Sequence, residues 1–329
     1  MPNDIRSLLH PQTRIALARA EELGFRPIET LSIEDARSEL AWFASMRPKV
    51  MGECEAEDMY VIAHDGMPIP VRLYRPLGLA TAAPVVVYFH GGGHVVGSIE
   101  TSDDVARRTA LQAGVAVISV GYRKGPEHRF PAAVHDAWSA LLWVGVRAAE
   151  LGVDASRLAV MGESAGANLA TVIALQSRDA GGPAIRTQVL IYPVTDYRLE
   201  ALSFARFASG FGVLSTETMR WFKRHYLARR EDAADWRASP ILAPSLAGLP
   251  GALIIAAQCD PLVDDVMLYA KRLRAEGVDT RLVEYPGVVH GFYSSPHAID
   301  LAMAANDEVA AHLRAALRAS DDDVRSAPR

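Results

Sequence analysis

From about residue 58 onward the chain switches repeatedly between two hydrophobic rhythms, and this alternation restricts the possible folds more than any other feature. Short, continuously apolar runs recur: "APVVVYFH", "VAVISVGY", "SRLAVMGES", "TQVLIYPV", "GALIIAAQCDP" and "DTRLVEYPG". Runs of this length, rich in valine and isoleucine, fit strands covered on both faces. Between them lie "SDDVARRTALQAG", "PAAVHDAWSALLWVGVRAAELG", "AGANLATVIALQSRD", "DVMLYAKRLRAEG" and "IDLAMAANDEVAAHLRAALRA", with apolar residues at helical spacing. Strands separated by helices imply a mostly parallel sheet with helices on both faces, an α/β fold. Ahead of this series, "MYVIAHDGMPIPVRLYRP" reads as a hairpin turning at Asp65-Gly66. Ser102 and Gly114 read as the N-cap and the stop of the first core helix.

Two stretches break the rhythm. Residues 1–55 read as helices without a strand, with Trp42-Phe43 on an apolar face. Residues 197–245 carry Phe204, Phe207, Phe211, Trp221, Phe222 and Tyr226 without strand periodicity. Each fits either plain packing on the core or a lid over one end of the sheet. The core then comprises residues 56–196 and 246–329, the last ten, "SDDDVRSAPR", reading as a tail.

With 329 residues, half of them hydrophobic, the chain can bury a large core. A formal charge of −5 and the lack of any basic run argue against a nucleic-acid partner. The apolar runs fall short of the roughly 18 residues of a membrane span. The N-terminal stretch lacks the continuous apolar region of a secretory signal. Cys54 and Cys259, the only cysteines, are too few for a disulfide framework or a four-thiolate metal site. A cytoplasmic protein with reduced thiols is expected.

The residues that carry chemistry stand where strands end. "VVVYFHGGGHVVG", residues 85–97, runs from a buried strand into Gly91, Gly92 and Gly93. "MGESAG" places Ser164 in a G-x-S-x-G between a strand and a helix, a sharp turn that exposes a hydroxyl. Taken alone, such a serine also fits a helix cap. A nucleophilic serine needs a base, and the base an orienting acid. His290, in "EYPGVVHGFY", and Asp260, after "LIIAAQC", each follow a strand. Asp264 and Asp265 are rivals for the acid. The order Ser164, Asp260, His290 is that of Ser-acid-His triads on α/β-hydrolase sheets. The glycines then have a use: backbone N–H groups of Gly92 and Gly93, with that of Ala165, can hold an oxyanion. His90 and Gly91 would position that loop.

At these residues the sequence resembles the hormone-sensitive-lipase-like family of α/β-hydrolases, bacterial carboxylesterases. "HGGG" at 90–93, "YRKGPEHRFPAA" at 122–133, "GESAG" at 162–166, "DPLVDD" at 260–265 and "HGF" at 290–292 carry the resemblance, which spans about residues 58–315. It implies an α/β-hydrolase fold with a helical cap from residues 1–55 and 197–245, and Ser164, Asp260 and His290 as the triad. It also implies hydrolysis of short- to medium-chain acyl esters without cofactor or metal. A homodimer through residues 279–285 is a family expectation. His94, Phe211 and Leu214 are candidates for the substrate pocket. Four positions depart from the family: Glu163 replaces aspartate, His94 an aromatic residue, and Lys124-Gly125 a Leu-Ala pair. An amide, lactone or carbamate hydrolase would use the same triad. A non-catalytic receptor on this scaffold would lack the histidine present in "HGF".

Overall fold

The computed structural model describes residues 5–318, so the expected tail at 320–329 lies outside the described residues. Eight strands form one sheet: β1 (Cys54–Ile62), β2 (Pro68–Pro76), β3 (Ala83–Phe89), β4 (Ala116–Val120), β5 (Val153–Glu163), β6 (Ile185–Ile191), β7 (Gly251–Cys259) and β8 (Thr280–Val289). Their order is β1-β2-β4-β3-β5-β6-β7-β8. The β1–β2 and β2–β4 pairs are antiparallel and all others parallel. β1 and β2 form the hairpin, with Ile62 opposite Pro68 and Gly66 turning at φ 82°.

Helices α1 (Pro11–Glu22) and α2 (Ile33–Ser45) precede the sheet. Within it run α3 (Asp103–Ala113), α4 (Ala132–Arg147), α5 (Ala165–Ala180), the short α6 (Ser203–Arg206), α7 (Thr216–Tyr226), α8 (Val263–Ala275) and α9 (Asp300–Ala316). Strand β3 shows why its sequence is apolar throughout. Val85, Val87 and Phe89 pack in one layer with α4, α5 and α8, whereas Val86 and Tyr88 pack in the other with α3 and α9. All five are fully buried. Each such side chain contributes roughly 1.5–3 kcal/mol of transfer free energy.

After β3 the chain steps outward to β4, then crosses back to lay β5 on the other side of β3. The C-terminal ends of β3 and β5 therefore flank a topological switch point, where open α/β sheets place their ligand crevice. Gly91–Gly93 and Ser164 follow those two ends.

Two local expectations are corrected. Ser102 stands at the N-cap position, but its side chain makes no capping bond, because a 3₁₀ turn, Glu100–Ser102, runs directly into α3. Gly114 does end that helix, at φ 65°. Trp42 does not lie against the core: it is 48% exposed, and α2 buries only Ala36. Phe43 instead meets Phe25 edge-on at 5.1 Å. The N-terminal helices still touch the 197–245 region, where the Glu29 carboxylate accepts hydrogen bonds from Ser215 and Thr218 at the start of α7.

Candidate active site

Ser164 sits between β5 and α5 with φ 55° and ψ −115°, a conformation that L residues rarely adopt. The turn is held from both sides: Ser164 N–H donates to Ile191 O at 2.9 Å, and Ser164 O accepts from Asn168 N–H at 3.0 Å. It is also tight. A Cβ at residue 162 would stand 2.2 Å from Gly166 C, and one at residue 166 would stand 2.0 Å from Phe89 O. Only glycine fits at 162 and 166.

Strand β8 runs on to Val289, so His290 directly follows its end, as Asp260 follows β7. His290 Nδ1–H donates to Asp260 Oδ2 at 2.6 Å, and its Nε2 lies 2.9 Å from Ser164 Oγ. Asp260 Oδ1 accepts from Leu262 N–H at 2.9 Å, fixing the carboxylate. Between the rivals, geometry decides. Asp264 pairs with Arg206, and Asp265 is buried with Oδ2 unpartnered among the described residues. Neither bonds His290.

The glycine loop follows β3. Gly92 and Gly93 both have positive φ, 119° and 60°, and Gly92 O accepts from Val95 and Val96 N–H. The N–H groups of Gly92, Gly93 and Ala165 have no acceptor among the described residues. His90 anchors the loop base: its ring stacks on Tyr122 at 4.3 Å and its Nδ1–H donates to Gly91 O at 2.7 Å.

The three pocket candidates fall in different places. His94 is fully enclosed, stacked on Tyr226 at 3.9 Å and hydrogen-bonded through Nδ1 to Tyr197 Oη at 2.7 Å, so it supports the loop from behind. Phe211 is half-buried in a small cluster with Phe207, Leu9 and Val289, beside the histidine's strand. Leu214 is buried in the main core cluster. Lys124 lines a cavity of about 490 Å³ with Arg37, Tyr122 and His128. Gly125 answers a close approach: a Cβ there would stand 2.3 Å from His225 O, so an alanine would displace the end of α7.

Sequence reasoning missed Arg37, whose guanidinium donates to Val95 O, Gly125 O and Glu127, tying α2 to the loop. It also missed Tyr88, Tyr192 and Ser294, described below. A helical stretch and scattered hydroxyls gave no signal for any of them.

Burial pushes both His90 and His94 down to about 3, the nearby Lys124 ammonium adding to the effect at His90. Each stays neutral in the fold while taking a proton near 6.5 when unfolded. The stability each gives is therefore complete above 6.5 and lost as pH falls toward 3. Asp265 acts oppositely. Burial, then the Asp196 charge, raises its carboxyl to about 7, so its contribution is complete below 3.8 and lost as pH rises to 7. His94→Phe leaves Asp265 and His90 in place and should flatten the fall in urea midpoint between about pH 7 and 5. An unchanged slope would contradict a neutral His94.

Among the described residues no helix is long and apolar enough to cross a membrane, and no cluster of three or more His, Cys, Asp or Glu side chains is placed to hold a metal ion.

Fold, switch point and the Ser-His-Asp contact define an α/β-hydrolase, and comparison with known proteins agrees. The family model described as "alpha/beta hydrolase fold" matches residues 86–294. The chain is 40% identical over 275 residues to an ethyl acetate hydrolase from Pseudomonas putida, covering 81% of this chain and 85% of that one. It is 40% identical over 291 residues to carboxylesterase NlhH from Mycobacterium tuberculosis, covering 87% and 90%. A thermostable esterase from Pseudomonas putida ECU1011 superposes with a TM-score of 0.90 at 33% identity, over 95% of this chain and 98% of that one. An esterase from Pyrobaculum calidifontis superposes with a TM-score of 0.86 at 37% identity, over 94% and 100%. The chain belongs to the α/β-hydrolases, in their hormone-sensitive-lipase-like branch, and is a carboxylic ester hydrolase.

Proposed function

We propose that the protein hydrolyses short- to medium-chain acyl esters through an acyl-enzyme formed on Ser164. The observation that carries this reading is the hydrogen-bonded chain from Ser164 Oγ through His290 to Asp260, at 2.9 and 2.6 Å. His290 Nε2 takes the Ser164 proton as Oγ bonds the ester carbonyl carbon. Asp260 holds the proton on Nδ1 and favours the imidazolium that forms. The carbonyl oxygen, now negative, sits against the N–H groups of Gly92, Gly93 and Ala165. The last of these opens α5, whose dipole favours an anion there. The tetrahedral adduct expels the alcohol, which receives the proton from His290. Water, deprotonated by the same imidazole, then attacks the acyl carbon and releases acid and free Ser164.

Residues 1–55 and 197–245 serve as the cap in this reading. Support comes from the Glu29 contact with Ser215 and Thr218 and from the ring of Phe222, which lies against Gly93. The preference for short- to medium-chain acyl groups rests on the family resemblance rather than on the aromatic residues of the cap, of which Phe207 packs in a small cluster beside Phe211 and Val289. We place the protein in the cytoplasm, where Cys54 and Cys259 would stay the free thiols they are here. We further propose a homodimer through residues 279–285, the first part of the edge strand β8, which precedes the point where His10 N–H bonds Gly287 O.

The test is a series of p-nitrophenyl esters, acetate through laurate, beside matched amides. The expected result is a kcat/KM maximum at short acyl chains and far slower amide cleavage. A maximum at laurate would reject the pocket size. Faster amide than ester turnover would reassign the reaction.

A further inference from the structure

Glu163 immediately precedes the nucleophile, and its side chain turns the other way, into the protein, where it is 6% exposed. Its carboxylate accepts three hydroxyl hydrogen bonds: Oε1 from Tyr88 at 2.6 Å, and Oε2 from Tyr192 at 2.8 Å and Ser294 at 3.1 Å. No arginine or lysine pairs with it among the described residues. A buried carboxylate without a cation is costly even when hydrogen-bonded, and an apolar side chain of similar size would remove that cost.

The three donors explain what the carboxylate joins. Tyr88 is in β3, two residues before the glycine loop. Tyr192 follows β6, and its ring lies 4.5 Å from the His290 ring. Ser294 ends the 3₁₀ turn Phe292–Ser294, directly beyond His290-Gly291. One carboxylate thus links the serine turn, the strand under the oxyanion loop and the segment carrying the histidine. It also puts negative charge behind the tyrosine that lies on the imidazole. The groups facing His290 are Asp260, Ser164 and Tyr192. Around Glu163 stand Tyr88, Tyr192, Tyr293 and Ser294, and the charges of Arg47 and Arg108, both paired with Asp104, reach the neighbouring tyrosines.

We propose that Glu163 is a positioning residue for His290: through Tyr192 and Ser294 it fixes the imidazole over Ser164, and its charge favours the imidazolium formed during turnover. This rests on the reading of His290 as the general base. Length and charge can be separated. Glu163→Gln keeps the length and removes the charge, whereas Glu163→Asp keeps the charge and shortens the reach to the three hydroxyls.

The experiment measures kcat, KM and the pH dependence of kcat/KM on p-nitrophenyl butyrate, with thermal melts of each variant. Glu163→Gln should lower kcat roughly 10- to 100-fold with little change in KM, and should move the acid limb to lower pH because the imidazolium has lost a nearby anion. Glu163→Asp should lower kcat less and leave the limb in place. Tyr192→Phe, which keeps the ring but drops the hydroxyl, provides the readout should Glu163→Gln fail to fold: a several-fold loss in kcat with an unmoved limb. A lower melting temperature with kcat and limb unchanged in Glu163→Gln would overturn the proposal, as would an unchanged kcat in Tyr192→Phe. A wild-type profile without an acid limb would instead overturn the general-base reading itself.

Discussion

Ser164→Ala should leave a folded protein whose ester hydrolysis is slower by roughly 10⁶-fold, the scale on which a serine acting with its base is lost as a unit. The loss should appear in kcat, because the hydroxyl forms its new bond only on the way to the tetrahedral adduct. Adding His290→Ala should then change little further, since neither residue works without the other. Asp260→Asn tests the third member differently. It preserves the shape but presents an amide to Nδ1, favouring the wrong tautomer, and a fall of about 10⁴-fold is expected. Steady-state kinetics on one short ester, with circular dichroism of each variant, suffices. Activity above a hundredth of wild type in Ser164→Ala would remove Ser164 as nucleophile.

The second large effect is expected at the glycine loop. In Gly92→Ala the new Cβ would stand 2.3 Å from Val96 O, with φ at 119°, so the backbone itself must move. Misplacing an oxyanion donor costs roughly 10²- to 10³-fold in rate. Gly93→Ala meets a different obstacle, the Phe222 ring at 2.2 Å, which belongs to α7. Removing the ring makes room, so Gly93→Ala with Phe222→Ala should recover part of the activity lost in Gly93→Ala alone. The remaining deficit reflects alanine at φ 60°, worth about 1–2 kcal/mol. Equal activity in all three variants and wild type would exclude the loop as the oxyanion site.

The residues these tests address were legible because each stands at an element junction and needs an unusual residue type. Glycine triplets are costly inside regular structure, and a G-x-S-x-G at a strand-to-helix junction, which alone also fits a helix cap, gains weight beside an acid and a histidine that each follow a strand. The layered core was legible for a similar reason, since a strand covered on both faces cannot hide its composition. Contacts between distant segments left no such mark. Glu163 meets Tyr88 and Ser294 across separations of 75 and 131 residues, and nothing local at either end announces the partner. Arg37 reaches its loop from a helix whose periodicity shows only that it has two sides. The same ambiguity misplaced Trp42: a helical rhythm finds an apolar stripe without saying what covers it. Asp264 and Asp265 stood beside Asp260 in one short block, and only three-dimensional direction separated them.

The backbone at Ser164 bears on how this chain can change over generations. At φ 55° and ψ −115° glycine would rest more easily than serine. If steadiness were all that selection asked, drift would carry this position toward glycine and the fold would improve at each step. Under the proposed mechanism the hydroxyl is what holds serine there, so residue 164 is where a lineage released from that need would first show its freedom.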